Sequence, residues 1–231
     1  MLSMTKVLFI GNSHTYMNDM PYLFKEIFEK SCSETCDVTM LAYSGRDLAW
    51  HRKEYFSIRF ALLYGNYDYC VIQQAAHPFP PKEEMMENGE ALCALCRTTG
   101  TIPVLYMTWA EKAMPENHQK MIDAYEELAE KTGALCAKAG VVWQNVRNTH
   151  PDIELFFKDG EHASPYGDLL IASVFVKTLR PEAKLRVPDS LIDFQVHFEG
   201  DFPEASMDKE RFFAPKPSWI RTIVRTVEEM L

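Results

Sequence analysis

Short apolar runs alternate with longer stretches of helical spacing along most of this 231-residue chain, and that rhythm restricts the fold more than any other feature. Runs of this length read as strands covered on both faces, and a helix between successive strands returns the chain to begin the next one in the same direction. The pattern predicts stacked βαβ units on a mostly parallel, five-stranded sheet. Predicted strands cover residues 6–10, 37–41, 69–72, 103–107 and 141–145. Between them, residues 21–30 carry Leu23, Phe24, Ile27 and Phe28 at helical spacing behind Asn18 and Asp19 as cap candidates. Further helices are predicted over 82–97 and 116–139, the latter with a Leu128, Ala129 and Leu135 face ending near Gly140. Ser164 and Pro165 supply an N-cap and a first-turn proline for a helix running to Leu179.

The length suits one sizeable α/β domain rather than two. Residues 1–180 form the predicted catalytic domain, and 181–231 read as a C-terminal extension packing on it. That extension differs in character, with prolines at 181, 188, 203, 215 and 217 and aromatics at 194, 198, 202, 212, 213 and 219. Its last piece, 218–231, sets Trp219, Ile220, Ile223, Val224 and Val227 on one amphipathic stripe behind Ser218, an apolar face of the kind that docks on a core. Lys and Arg number 24 against 33 Asp and Glu, a formal charge of -9, so there is no global basic field to attract nucleic acid. The opening run Val7-Leu8-Phe9-Ile10 is too short for a signal-peptide core, and no later stretch is long enough to cross a bilayer. A cytoplasmic location without membrane association is expected, and a homo-oligomer is compatible with the sequence.

Cys93 and Cys96 form a CxxC, but on a helix they share a face with Leu92 and Leu95, and no second ligand pair stands at a diagnostic spacing. They read as core, as do Cys70 and Cys136, and neither a metal nor an organic cofactor is expected.

Open α/β sheets bind ligands beyond the carboxyl ends of their strands, and the polar residues of this chain gather there. Gly11-Asn12-Ser13 follows the first strand, Gly45 the second, Gln73-Gln74 the third, and Thr108-Trp109 the fourth. Asp159 and His162, in Asp159-Gly160-Glu161-His162, lie beyond the fifth. A serine hydroxyl is a poor nucleophile alone; it needs a histidine to take its proton and a carboxylate to fix the imidazole tautomer. Ser13, His162 and Asp159 supply that set. Asp159 is preferred to Glu161 because a residue three positions before the histidine can fold back onto Nδ1. His14, His51, His77, His118, His150 and His197 have no equivalent partner in the sequence and read as surface or pocket-lining.

These blocks resemble the SGNH (GDSL-type) hydrolase superfamily. Gly11-Asn12-Ser13 with Thr15 is similar to its first block, and Asp159-Gly160-Glu161-His162 followed by Ala163-Ser164-Pro165-Tyr166-Gly167 to its last. The resemblance implies a flavodoxin-like three-layer α/β/α sandwich with Ser13 as nucleophile, His162 as base and Asp159 as its orienting acid. It also implies an oxyanion hole made by the N–H groups of Ser13 and Gly45 with a side-chain amide. The asparagine that commonly supplies the amide has no counterpart after the third strand. Gln73 stands there, with Gln74 as the alternate, which resembles the carbohydrate and sialate O-acetylesterase branches. The implied function is hydrolysis of short-chain, acetyl-type esters such as an O-acetylated sugar, a small-molecule substrate for which Trp109, Tyr43 and Tyr16 could offer aromatic faces. An O-acyltransferase with the same triad and a non-catalytic ligand-binding protein on the same fold are the alternatives.

Overall fold

The computed structural model describes residues 3–187, 195–199, 202–206 and 216–231. In chain order its elements are β1 (Met4–Gly11), α1 (Ser13–Tyr16), α2 (Met20–Cys32), β2 (Thr35–Ala42), α3 (Leu48–Lys53), α4 (Tyr55–Gly65), β3 (Tyr69–Ile72) and α5 (Lys82–Arg97). There follow β4 (Ile102–Tyr106), α6 (Asn117–Thr132), β5 (Leu135–Ala137), α7 (Ala139–Thr149), α8 (Pro165–Leu179), β6 (Gln195–Glu199), β7 (Phe202–Ser206) and α9 (Pro217–Met230).

The unbroken apolar run of β1 has a direct cause. Val7 and Phe9 belong to one core, while Leu8 and Ile10 belong to another on the opposite face. β3 and β4 divide the same way, Val71, Val104 and Tyr106 to the first core, Cys70, Ile72 and Leu105 to the second. A strand buried on both faces has no polar alternation to show. The sheet runs β2-β1-β3-β4-β5 with every neighbouring pair parallel. Helices α2, α7, α8 and α9 cover one face and α3 to α6 the other, giving the expected three-layer α/β/α sandwich. The strand order reverses direction between β1 and β3, and in such sheets the crevice at that switch point is where ligands bind.

One predicted strand is a helix. Residues 141–145 lie inside α7, and the fifth strand is the shorter β5 just before it. The β-branched and aromatic residues Val142, Trp143 and Val146 are spaced for one helical face, and burial on the first core outweighs their strand propensity. The predicted helix over 116–139 ends early for a related reason. Gly133 adopts φ +63° and its N–H closes on the Ala129 carbonyl at 2.7 Å, a left-handed stop that frees the next residues to pair with β4. Helices α3 and α4 were not marked in the sequence. α4 leaves Tyr55, Phe56, Phe60 and Tyr64 exposed while Ile58 and Leu62 face the core, so its apolar residues trace no single stripe.

Of the two predicted cap residues of α2, one stands at the cap position. Asp19 is the N-cap but makes no side-chain cap bond, and Asn18, at φ 47°, sends its amide across to Ala163 and Asp168. At the other end of the chain, α9 begins with Pro217 rather than behind Ser218. Ile223 and Val227 enter the first core, Trp219 meets Tyr166 edge to face at 4.9 Å, and the Lys216 N–H donates to the Tyr166 hydroxyl at 2.7 Å. β6 and β7 form an antiparallel pair. Of the residues that mark this segment in the sequence, Pro188, Phe194, Phe212, Phe213 and Pro215 lie outside the described residues. No described helix is long and apolar enough to cross a membrane.

Candidate active site

The nucleophile turn is built from the core outward. β1 ends at Gly11, whose carbonyl accepts from the Tyr43 N–H at 3.0 Å and from His51 Nε2 at 2.8 Å. A Cβ on Gly11 would collide with Thr15 and Gln73, so only glycine lets the turn sit this close to the end of β3. Asn12 then caps α1: its Oδ1 accepts from the His14 N–H at 3.0 Å, and its Nδ2 donates to the Arg46 carbonyl at 2.9 Å. The second bond ties the Gly45-Arg46 loop beside Ser13. Gly45 is exposed there at φ +66°.

Asp159 and His162 come from a tight loop between α7 and α8. Phe156 and Ala163 pair across it, the Phe157 N–H donates to the His162 carbonyl at 2.8 Å, and Gly160 turns at φ +76°. Asp159 folds back as the spacing requires. Its Oδ1 accepts from the N–H groups of Glu161 and His162 at 2.9 and 3.0 Å, and its Oδ2 lies 2.8 Å from His162 Nδ1. Partial burial pushes the Asp159 carboxyl up, but the two backbone N–H groups and the His162 ring outweigh it and hold it below the usual carboxylate range. An ionised Asp159 can only accept, so Nδ1 carries the ring proton and Nε2 presents its lone pair. Ser13 Oγ is 2.7 Å from that Nε2 and donates to it. The structure thus brings Ser13, His162 and Asp159 into one hydrogen-bonded line, whereas Glu161 contributes only backbone atoms to it.

Gln73 is arranged differently from the sequence expectation. It is fully buried beneath the nucleophile turn, where its Oε1 accepts from the Asn12 N–H at 2.9 Å and the Thr15 hydroxyl at 3.0 Å. Asn12 N–H can only donate, which fixes the amide orientation and leaves Nε2 pointing to the Gln74 carbonyl at 2.5 Å. Gln73 therefore braces the turn from below. Gln74 uses its Oε1 on the N–H groups of Leu48 and Ala75 at 3.0 and 2.8 Å.

Trp109 is corrected as a substrate-facing ring. It is fully buried, stacked on Trp143 at 3.9 Å and 4°, and donates from Nε1 to the Glu161 carbonyl at 3.0 Å, because the chain beyond β4 turns inward under the acid-base loop. Tyr43 is exposed in the Gly45 loop with its ring 4.9 Å from Trp50, and Tyr16 is half-buried at the end of α1.

His14 and His77, expected at the surface or lining the pocket, both stand beside the His162 ring. His14 is buried, lies 4.6 Å from His162 with the rings at 29°, and sits 5.1 Å from His77. Burial, reinforced by His162 and His77, holds His14 far below the usual imidazole range, and burial followed by His162 brings His77 down to about 4. Both rings are neutral at pH 7. The one signal available in the sequence was the position of His14 directly after the nucleophile. Among the described residues no three His, Cys, Asp or Glu side chains are grouped to hold a metal ion. Cys93 is free and buried, with its thiol pushed up to about 12 mainly by that burial. A cleft of about 510 Å³ lined by Phe79, Pro80, Lys82, Asn117, Lys120 and Asp123 contains none of the triad.

No family model and no curated protein matches the chain. Solved structures do. A DUF4886 family protein from Bacteroides uniformis superposes with a TM-score of 0.69 at 18% identity, over 98% of this chain and 94% of that one. An alpha/beta hydrolase enzyme from the metagenome of Lake Arreo, Spain, gives 0.64 at 16% identity over 77% and 96%. An acetylxylan esterase from Geobacillus stearothermophilus gives 0.63 at 15% identity over 78% and 95%. At these identities the likeness is one of fold: the chain shares its three-layer α/β/α architecture with these proteins.

Proposed function

We propose that this protein is a serine esterase that hydrolyses short-chain, acetyl-type esters through an acyl-enzyme. The observation that carries the reading is the continuous line from Ser13 Oγ through His162 to Asp159, with bonds of 2.7 and 2.8 Å. Ser13 Oγ attacks the ester carbonyl carbon as its proton passes to His162 Nε2, and Asp159 stabilises the imidazolium that forms. The tetrahedral oxyanion is held by the N–H groups of Ser13 and Gly45. Collapse expels the alcohol, which takes the proton from His162. Water then attacks the acyl group, gives its proton to His162, and the free acid leaves as the proton returns to Ser13.

Hydrolysis is favoured over transfer because the acid-base pair meets solvent: the His162 and Asp159 side chains are 19% and 36% exposed. Fold likeness to an acetylxylan esterase supports an O-acetylated carbohydrate as the substrate class, with Tyr43 as the exposed ring beside the Gly45 loop. The test is hydrolysis of p-nitrophenyl acetate together with covalent labelling by a serine-directed phosphonate. Ser13→Ala is expected to lose about 10³-fold or more of the activity and all of the label. A label mapped to another serine, or an active alanine variant, removes Ser13 from the mechanism.

A further inference from the structure

The base occupies an exposed loop, yet one face of its ring is covered from the core. His14 lies against His162 at 4.6 Å with the rings at 29°, Trp109 backs His14 at 5.5 Å with its plane tilted by 51°, and Trp143 stacks on Trp109 at 3.9 Å and 4°. These rings form a column that begins at the catalytic imidazole and ends in the first core, where Trp143 also meets Phe156 edge-on at 5.1 Å. Each link is separately fixed. The His14 N–H donates to Asn12 Oδ1 and the His14 carbonyl accepts from the Tyr106 hydroxyl at 3.2 Å, so its backbone is held at both ends. Trp109 Nε1 donates to the Glu161 carbonyl, one residue before the base. His14 Nε2 is buried without a well-formed hydrogen bond, and the Glu161 backbone facing the ring only partly offsets the effect of burial on it.

An imidazole with two good hydrogen bonds can still lose both by a small rotation of its ring. Misplacing a reacting group by about 1 Å costs on the order of 10²-fold in rate. We propose that His14 is a positioning residue: a flat plate, backed by Trp109 and Trp143, that holds the His162 ring in the plane joining Ser13 Oγ to Asp159. The flat face is what acts here, and the ring nitrogens of His14 are dispensable.

This inference rests on the esterase reading, and its test separates the two. His14→Phe keeps a planar ring, whereas His14→Leu fills comparable buried volume without one, so neither opens a large cavity. On p-nitrophenyl acetate, kcat of His14→Leu is expected to fall by about 10²-fold with KM nearly unchanged, while His14→Phe stays within about tenfold of the native enzyme. In ¹H–¹⁵N spectra the hydrogen-bonded His162 Nδ1 proton should be sharp in the native protein and in His14→Phe, and broadened in His14→Leu. Equal behaviour of the two variants in both measurements overturns the plate, as does the lack of that proton signal in the native protein. If the native protein cleaves no ester, the esterase reading fails and the spectral comparison still decides whether the column holds the base.

Discussion

The two halves of the candidate site are built on opposite principles. Ser13 stands on a turn fixed from the core: Gly11 is clasped by Tyr43 and His51, Asn12 by Gln73 and Arg46, and Thr15 by Gln73 again. His162 and Asp159 stand on a surface loop whose hydrogen bonds are largely within itself, and which is tied to the rest of the molecule by the His14 ring, the Trp109 indole N–H, the Lys112 N–H and the Asn18 amide. The difference follows from what each group does in the proposed mechanism. A nucleophile needs a single position, which a rigid turn supplies, while the base gains and loses a proton in each half-reaction and so sits where water arrives and charge is solvated.

If both halves act in one mechanism, the loss of either should be equally severe despite this contrast. His162→Ala removes the proton acceptor and is expected to cost about 10³-fold or more in kcat/KM, matching Ser13→Ala, and Asp159→Asn should follow at equal or lesser severity because it permits the wrong tautomer. Retained activity in His162→Ala would detach the loop from the chemistry. Acid should affect this half first. The Asp159 carboxyl lies below its unfolded value, so its stabilising contribution is complete above the unfolded pKa and is lost as pH falls through the folded one. Hydrogen exchange of the Glu161 and His162 amides is therefore expected to accelerate on acidification before that of Asn12. Simultaneous loosening of both would show that the two halves are not separately held.

The core-braced half can be broken from below. Gln73→Ala strips acceptors from the buried Asn12 N–H and Thr15 hydroxyl, and an unsatisfied buried donor costs about 1–3 kcal/mol, a Tm loss on the order of 5 °C for a chain of this size. Gln74→Ala, measured alongside, reads out the alternate amide. A fall in kcat of about 10²-fold at unchanged Tm is the signature of an oxyanion donor, and whichever glutamine shows it holds that role.

The contrast also explains what could be read from the sequence. β1, β3 and β4 were legible because strands covered on both faces are continuously apolar, and with them came the sheet and the ligand edge. β5 was not, because Leu135–Ala137 is too short to form a pattern beside the strand-like Val141-Val142-Trp143. Asp159 and His162 are near neighbours in sequence, so their pairing could be argued from spacing. The bracing of Asn12 by Gln73 and the column from His162 through His14 and Trp109 to Trp143 join residues far apart in the chain, chosen by packing rather than by local pattern. Trp109 and Gln73 lie at the expected edge of the sheet, but the side chains expected to face substrate and oxyanion turn inward.

One small tie spans the two halves, and it carries the mildest of the expected effects. Asn18, on the link between α1 and α2, donates from Nδ2 to the Ala163 carbonyl beside the base at 3.0 Å and to Asp168 Oδ2 at 2.5 Å. Asp168 is fully buried, and that burial pushes its carboxyl far above the usual range against the opposing Asn18 bond, so it is held neutral where the unfolded chain would ionise. The folded state then binds a proton that the unfolded state releases, and stability falls as pH rises from the unfolded pKa toward the folded one. Asp168→Asn keeps a carbonyl acceptor for Asn18 and removes the titration. Its Tm should gain on that of the native protein as pH is raised across this interval, with kcat within about threefold because the Asn18 bond to Ala163 survives. A Tm difference that does not change with pH would mean that Asp168 is not the proton-binding group, and a large loss of kcat at unchanged Tm would mean that the carboxyl itself, rather than its acceptor oxygen, sets the position of the loop.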